Sequence, residues 1–414
     1  MFDAFDDAFE AVNEKPDDPQ SLYALAKICV EAQRYGFAKV LVERALGFRE
    51  TPAGLNSLGM ILESERKPGS RQLFLKAFKM DPKATYASNV GMTWLREKEW
   101  EKALHWADKA LAIDPEAKGA KSVRAFGSLA LGDWGRGWDD YEALLGGEFR
   151  KRLNFVGEPL WDGSKGKTVI VYGEQGLGDE IMFASMIPDA VRDCKKVILE
   201  CDPRLEGLFK RSFPEVDVYG TRRMSPVEWP MQYQIDASVP AGGLGRFYRR
   251  SPEACPRTPY LVADPDKRKE MRQWLGSGRK IGLTWSGGTK RTEQAEREMG
   301  LKALKPFMDA NPDAEFISLQ YKPCESEGVR VHPKIEANVD YDDAAALVAE
   351  LDLVVGVHTS AHHLAGALGR PTLTFVPTIH SWYYQSDTFP FYPLTLFRQR
   401  KGEAWIDTVR RACS

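Results

Sequence analysis

Two carboxylates, Asp179 and Glu180, follow directly on the run Gly173-Glu174-Gln175-Gly176-Leu177-Gly178, which itself follows the apolar VIVY of residues 169–172. A buried strand that runs into a glycine turn and then a helix leaves backbone N–H groups unpaired at the helix start, at the end of an α/β sheet where ligands bind. One or two carboxylates beside such donors suit an active site. The run is not the dinucleotide G-x-G-x-x-G, and with no Gly-Lys-Ser/Thr after it, it is not a P-loop. Gly176 and Gly178 let the backbone turn sharply and approach a ligand. Asp179 also reads as the N-cap of a helix over 180–192, with no ligand needed.

The second cluster is His358-Thr359-Ser360-Ala361-His362-His363, placed after the apolar strand LDLVVGV and ahead of Gly369-Arg370-Pro371. Thr359 and Ser360 cap a short helix that Gly369 stops, and its free N–H groups and dipole form a site for a phosphate or diphosphate. His358 and His362 share a helix face at i, i+4, but no carboxylate or third ligand stands at fixed spacing, so no metal is expected. A third patch, Trp285-Ser286-Gly287-Gly288-Thr289-Lys290-Arg291, continues to Arg297. Glycines, hydroxyls and cations together suit an anionic leaving group; the alternative is a mobile basic loop. Asp264-Pro265-Asp266 has an Asp-x-Asp form but precedes KRKEMRQWL and reads as a helix cap.

Two kinds of element must position these residues. Residues 1–150 are helix-like, with Pro19, Pro52, Pro82 and Pro115 spaced 33, 30 and 33 residues apart. That is tetratricopeptide-like spacing, in which each helix pair buries its apolar face against its neighbours. In the best-formed unit Ala87, Gly91, Trp94 and Leu95 share one face, and Trp100, Ala103, Leu104, Ala107 and Ala110 the next; KPGS at 67–70 degrades the second unit. From about Thr168 strands alternate with helices. One series holds strands at 169–172, 197–200 and 216–219, and a second holds IGLTW, EFISLQ, LDLVVGV and TLTFV. Two Rossmann-like domains, 151–258 and 279–400, joined by a linker at 259–278 and followed by a tail at 401–414, are the expected organisation.

Composition narrows the functional classes. The net charge of −2 gives no general attraction to nucleic acid, and 21 basic against 24 acidic residues over 1–150 do not make a DNA clamp. Residues 241–300 carry 13 Lys plus Arg against 7 Asp plus Glu, which suits an anionic ligand or a solvated, ion-paired face. Six scattered cysteines without a C-x-x-C pair indicate neither zinc nor a disulfide framework. The acidic start lacks the order of a secretory signal and no apolar run spans a membrane, so a cytoplasmic protein is expected.

Taken together, LALGDWGRGWDDYEALL, GEQGLGDEIMFASMIP, GLTWSGG, FISLQY, DYDDAAALVAELDLVVGV, HTSAHHLAGALGRPTLTFVP and FYPLTLFRQ resemble the bacterial tetratricopeptide-repeat proteins that carry a heptosyltransferase-like GT-B glycosyltransferase domain. The domain order is similar to that of O-GlcNAc transferases and flagellin glycosyltransferases. The resemblance covers nearly the whole chain. It implies Asp179 as the base that deprotonates an acceptor hydroxyl, with Glu180 beside it. It implies Ser286, Gly287, Lys290, Thr359 and Ser360 around a donor diphosphate, and Gln320, Tyr321 and Asp343 where nucleotide contacts cluster. Arg297 matches a recurrent basic position, and His363 the His of the Thr-Ser-x-x-His-Leu run. One departure is His358, where the family has Asp: an anion is replaced by a group able to carry positive charge.

The expected protein is a metal-independent, inverting glycosyltransferase that needs no cofactor. It would move a sugar from a nucleotide-sugar donor to a hydroxyl of a polypeptide, a glycan or a modified DNA base. The rivals are a catalytically lapsed nucleotide-sugar-binding scaffold and a nucleotide-sugar epimerase.

Overall fold

The computed structural model describes residues 2–147, 150–222, 224, 226–288, 294–321, 326–337 and 339–414. They form two compact units, Met1–Ser128 and Leu129–Ser414.

The first unit is a run of helices: α1 (Phe2–Glu14), α2 (Pro19–Glu31), α3 (Tyr35–Phe48), α4 (Pro52–Ser64), α5 (Ser70–Met80), α6 (Ala84–Arg96), α7 (Trp100–Ile113) and the start of α8 (Lys118–Ala130). Consecutive helices pair as α2 with α3, α4 with α5 and α6 with α7. Pro19 and Pro52 each open a helix, where a missing N–H costs nothing. Asp18 and Thr51 cap them, accepting from Ser21 N–H at 2.9 Å and Gly54 N–H at 3.1 Å. Small residues let the helices approach: Ala87, Ala103, Ala107 and Ala110 are fully buried, and a β-carbon on Gly59 would collide with the ring of Phe74. Trp94, on the same face of α6, is half-buried with the Arg71 guanidinium 3.5 Å from its ring centroid. The KPGS stretch does not degrade its unit. It is the turn between α4 and α5, where Gly69 takes φ +105°.

The second unit opens with helix α9 (Trp134–Tyr141) and holds two parallel sheets. The first consists of β1 (Thr168–Tyr172), β2 (Lys196–Glu200), β3 (Asp217–Tyr219) and β4 (Ala237–Pro240) in the order β3-β2-β1-β4. Between these strands stand α10 (Leu177–Phe183), α11 (Ile187–Asp193) and α12 (Glu206–Ser212). After β4 come α13 (Gly245–Tyr248) and α14 (Pro265–Leu275), the latter capped by Asp264. The second sheet holds β5 (Arg279–Thr284), β6 (Ala314–Ser318), β7 (Leu353–Val357), β8 (Thr372–Val376) and β9 (Thr395–Arg398) in the order β6-β5-β7-β8-β9. Its helices are α15 (Lys305–Asp309), α16 (Pro333–Ala337), α17 (Tyr341–Ala349), α18 (Ser360–Ala367) and α19 (Trp405–Cys413). All of β1 is buried, as expected of a central parallel strand covered on both faces.

The fold is therefore tetratricopeptide-like helical repeats followed by two Rossmann-like sheets of GT-B type, as the sequence led us to expect. Two strands were not legible: β4, four residues ending in Pro, and β9. The single helix expected over 180–192 is broken into α10 and α11, with Pro188 in the first turn of α11. Among the described residues no helix is long and apolar enough to cross a membrane.

Strand order places the crevices. In the first sheet the chain moves outward from β1 through β2 to β3, then returns to the other side of β1 as β4. In the second, β6 and β7 flank β5 on opposite sides. Ligands bind at the carboxyl ends of strands where the order reverses. Those ends carry residues 173–178, 285–288 and 358–360.

Candidate functional site

Helix α10 begins at the first of these reversals. Gly176 is its N-cap residue, and Asp179, three residues on, accepts the Gly176 N–H through Oδ2 at 3.1 Å. Asp179 is thus not the N-cap itself but the first-turn carboxylate that reaches back to one. Its other oxygen, Oδ1, lies 3.5 Å from the Tyr383 hydroxyl. Burial lifts the Asp179 carboxyl to about 6, helped by Glu174 and opposed by the Gly176 amide, Arg297 and Tyr383. A carboxyl poised there can take a proton near neutral pH.

Glu180 has a different environment. It is 4% exposed, accepts the Asp202 N–H through Oε2 at 2.9 Å, and binds Arg222 through Oε1. Arg222 also donates to the Gln175 carbonyl. Glu180 therefore clamps the ends of β1 and β2 and the turn between them.

Beneath the turn lies a second, fully buried pair. Arg150 Nε donates to Glu174 Oε1 at 3.2 Å and Nη1 to the Tyr141 carbonyl at 2.7 Å; both side chains are 1% exposed. Gln175 donates to the same Glu174 oxygen at 3.0 Å and accepts from the Tyr141 hydroxyl at 3.1 Å. Helix α9 is thereby part of the support of this turn. It is seated among aromatic rings: Trp134 stacks on Phe391 at 5.9 Å, and Trp138 meets Trp382 edge-on at 5.5 Å.

The reversal in the second sheet carries the groups expected around a diphosphate. Thr359 is the N-cap of α18 and Ser360 its first residue. A β-carbon on Gly287 would stand 2.5 Å from Thr359 Cγ2, so the loop after β5 and the start of α18 abut. Gln320, with its amide oriented as its hydrogen bonds require, donates to the Ser286 carbonyl at 3.0 Å and accepts from the Ser286 N–H at 3.1 Å and Oγ at 2.7 Å. Ser286, Gly287, Gln320, Thr359 and Ser360 are thus gathered at one place. Next to them a small cavity is lined by Gln320, Tyr321, Ile335, Tyr341, Thr359 and Ser360. Burial holds the Tyr341 phenol up at about 12, so it stays a protonated donor. Asp343 is turned elsewhere, toward Lys267 at 3.2 Å.

Arg297 ends a single 3₁₀ turn, Gln294–Arg297, and its charge acts on Asp179, His358 and His363 alike. Lys290 and the rest of 289–293 lie outside the described residues. His363 bonds through Nδ1 to the Tyr392 hydroxyl and lies 3.4 Å from the Tyr384 hydroxyl through Nε2.

The expectation that His358 brings positive charge is corrected. It is 6% exposed, its ring lies 4.7 Å from that of Tyr384, and its Nδ1 is buried without a hydrogen-bond partner. Burial first, then the Arg297 charge, holds it far below the usual imidazole range, so it is neutral. His362 and His363 are likewise pushed down to about 3, mainly by burial. Among the described residues no group of three or more His, Cys, Asp or Glu side chains is arranged to hold a metal ion.

The two reversals meet. Helices α10 and α18 are in contact, and a β-carbon on Gly178 would lie 2.9 Å from His363 Cδ2 and 3.5 Å from the Ser360 α-carbon. Sequence reasoning missed Tyr383, Tyr384 and Tyr392, which line this junction. The available signal was the aromatic density of WYYQSDTFPFY at 382–392. It also missed Tyr341, two residues before the Asp343 that was singled out.

No protein-family profile matches the chain. Several solved structures are similar to about a third of it. They include a MamA double mutant (16% identity, TM-score 0.31, 34% of this chain and 82% of that one) and YrrB, a TPR protein with an unusual peptide-binding site (14%, 0.29, 33% and 72%). A third is a thermophilic TPR protein from Thermus thermophilus (21%, 0.30, 33% and 78%). Protein FlbA of Caulobacter vibrioides is 30% identical over 438 aligned residues, covering 97% of this chain and 73% of FlbA. With identity sustained over nearly its whole length, through the repeats and both sheets, this chain belongs to the FlbA family.

Proposed function

We propose that the protein is a metal-independent, inverting glycosyltransferase of the heptosyltransferase-like GT-B kind. The observation that carries the reading is Asp179: a carboxyl lifted to about 6, on the first turn of α10, beside the N-terminus of α18 and within the field of Arg297. Such a group is ionised at neutral pH yet basic enough to accept a proton from a hydroxyl as that hydroxyl becomes a nucleophile.

In the proposed reaction a nucleotide-sugar lies with its diphosphate on the free N–H groups of Thr359 and Ser360 and the loop at Ser286 and Gly287. Its nucleoside is directed toward Gln320, Tyr321 and Tyr341. The acceptor oxygen bonds to the anomeric carbon while its proton passes to Asp179. The anomeric carbon–phosphate oxygen bond breaks, and the electron pair leaves with the nucleotide. Arg297 and the α18 N-terminus stabilise that leaving charge, so the step calls on no metal. Inversion follows from a single displacement. The acceptor is a polypeptide or a glycan.

The test is a thermal-shift screen against UDP-, GDP-, ADP-, CMP- and dTDP-sugars, followed by nucleotide release with candidate acceptors. A selective shift with acceptor-dependent release supports the reading. A shift without turnover on any acceptor makes the chain a binding scaffold, and donor conversion without acceptor makes it an epimerase.

A further inference from the structure

Apart from the cleft, the second unit contains a cavity of about 250 Å3 at the carboxyl end of β4. It is lined by Gly243 and Leu160, by Trp161 and Phe247, whose ring centroids lie 4.8 Å apart, and by Arg152 and Arg246. Glu142 lines it too; its Oε1 is buried without a hydrogen bond, 3.5 Å from the Arg150 guanidinium, whose Nη2 is also buried without a partner. Asp139 is shared by Arg246 at 3.3 Å and Arg250 at 2.7 Å, one carboxylate between two cations.

We propose that this cavity binds a single-ring polyhydroxy anion, a sugar carrying a carboxylate or a phosphate. Its volume is below the roughly 300–1,000 Å3 of pockets for drug-sized ligands, which fits one ring. The guanidinium groups of Arg152 and Arg246 match the planar oxygens of an acid group. Glu142 accepts hydroxyl donors, and the Phe247 face covers the C–H side of a sugar ring. Gly242, the residue before the cavity-lining Gly243, packs on the turn that carries Asp179: a β-carbon on it would lie 2.8 Å from Glu174 Oε1 and 2.9 Å from Gln175 Nε2.

Binding is measured on the full chain by calorimetry and ligand-observed NMR, with glucuronate, glucose 6-phosphate and glucose as probes. At least one anion should bind about tenfold or more tightly than glucose, a difference of about 1.4 kcal/mol. The better of the two identifies the acid group. Arg152→Ala and Leu160→Trp, both at exposed positions and the second filling the cavity, should abolish the preference while leaving the melting temperature unchanged. Asp179→Asn should bind as the native chain does, so this outcome is separate from the fate of the glycosyltransferase reading. Equal binding of glucose and the anions, no binding of any probe, or binding unaffected by both cavity variants overturns the proposal.

Discussion

Gly178 lies against the imidazole of His363: a β-carbon there would stand 2.9 Å from His363 Cδ2. The edge of that imidazole cannot simply swing aside, because both ring nitrogens face tyrosine hydroxyls, those of Tyr392 and Tyr384. Gly178→Ala must therefore push α10 away from α18. Overpacking of this kind typically costs about 1–3 kcal/mol. The variant should lose about tenfold or more in nucleotide-sugar affinity, read as a diminished ligand-induced rise in melting temperature. An alanine variant with native affinity would show that the two helix starts need not touch for the donor to bind.

Asp179→Asn keeps the shape and one acceptor oxygen for the Gly176 amide but cannot take a proton. Transfer should fall by about 100-fold or more, the usual scale of a lost general base, with donor binding retained. In the native protein kcat should rise with pH through about 6, where the raised carboxyl ionises. An unperturbed carboxylate would place that limb near 4. A pH-independent rate between 5 and 7.5, or native turnover by the Asn variant, removes Asp179 from the chemistry.

How much of this was legible follows from what each residue depends on. Strand-turn-helix patterns are local, so the glycine turn, the Thr359 cap and the strands of both sheets other than β4 and β9 could be read from the chain. The role of a carboxylate is not local. Asp179 and Glu180 are neighbours in sequence with opposite surroundings, one beside Tyr383 and Arg297, the other sealed by Arg222. His358 looked like a source of charge because its neutrality comes from burial, which only the packed core sets. Strand β4 was missed because four residues ending in Pro carry too little alternation to register, and its identity comes from pairing with β1.

Arg150 and Glu174 make a buried ion pair under the turn that carries Asp179, with Arg150 held on its other side by the Tyr141 carbonyl. Removing one partner takes from the other its fully buried counter-charge, leaving Arg150 only the more distant Glu142, so Arg150→Met or Glu174→Gln alone should cost about 3–5 kcal/mol. The double variant should lose clearly less than the sum, because the two buried charges go together and only the partly exposed Glu142, 3.5 Å from Arg150, loses a cation. Chemical denaturation of the four proteins measures the coupling. Additive losses would show that the two side chains do not act as a pair.

Glu200 ends β2 opposite Tyr172, 2% exposed, with Oε2 lacking any hydrogen-bond partner. Burial pushes its carboxyl up to about 8, with the Gly173 amide pulling down and Asp202 adding to the rise. The folded protein then holds a proton on Glu200 that the unfolded chain, ionising near 4.5, has already released. Between those two values the native state binds more protons, so this residue makes stability fall as pH rises from about 4.5 to 8, after which its contribution is flat. Glu200→Gln removes the proton while keeping the shape. Its stability should match the native protein near pH 4 and exceed it increasingly toward pH 8. The gain is several kcal/mol at most, since one pKa unit corresponds to about 1.4 kcal/mol. Urea unfolding at pH 4.5 and 8 compares the two proteins directly. A constant difference between them at both pH values would mean that Glu200 ionises in the folded state as it does in the open chain.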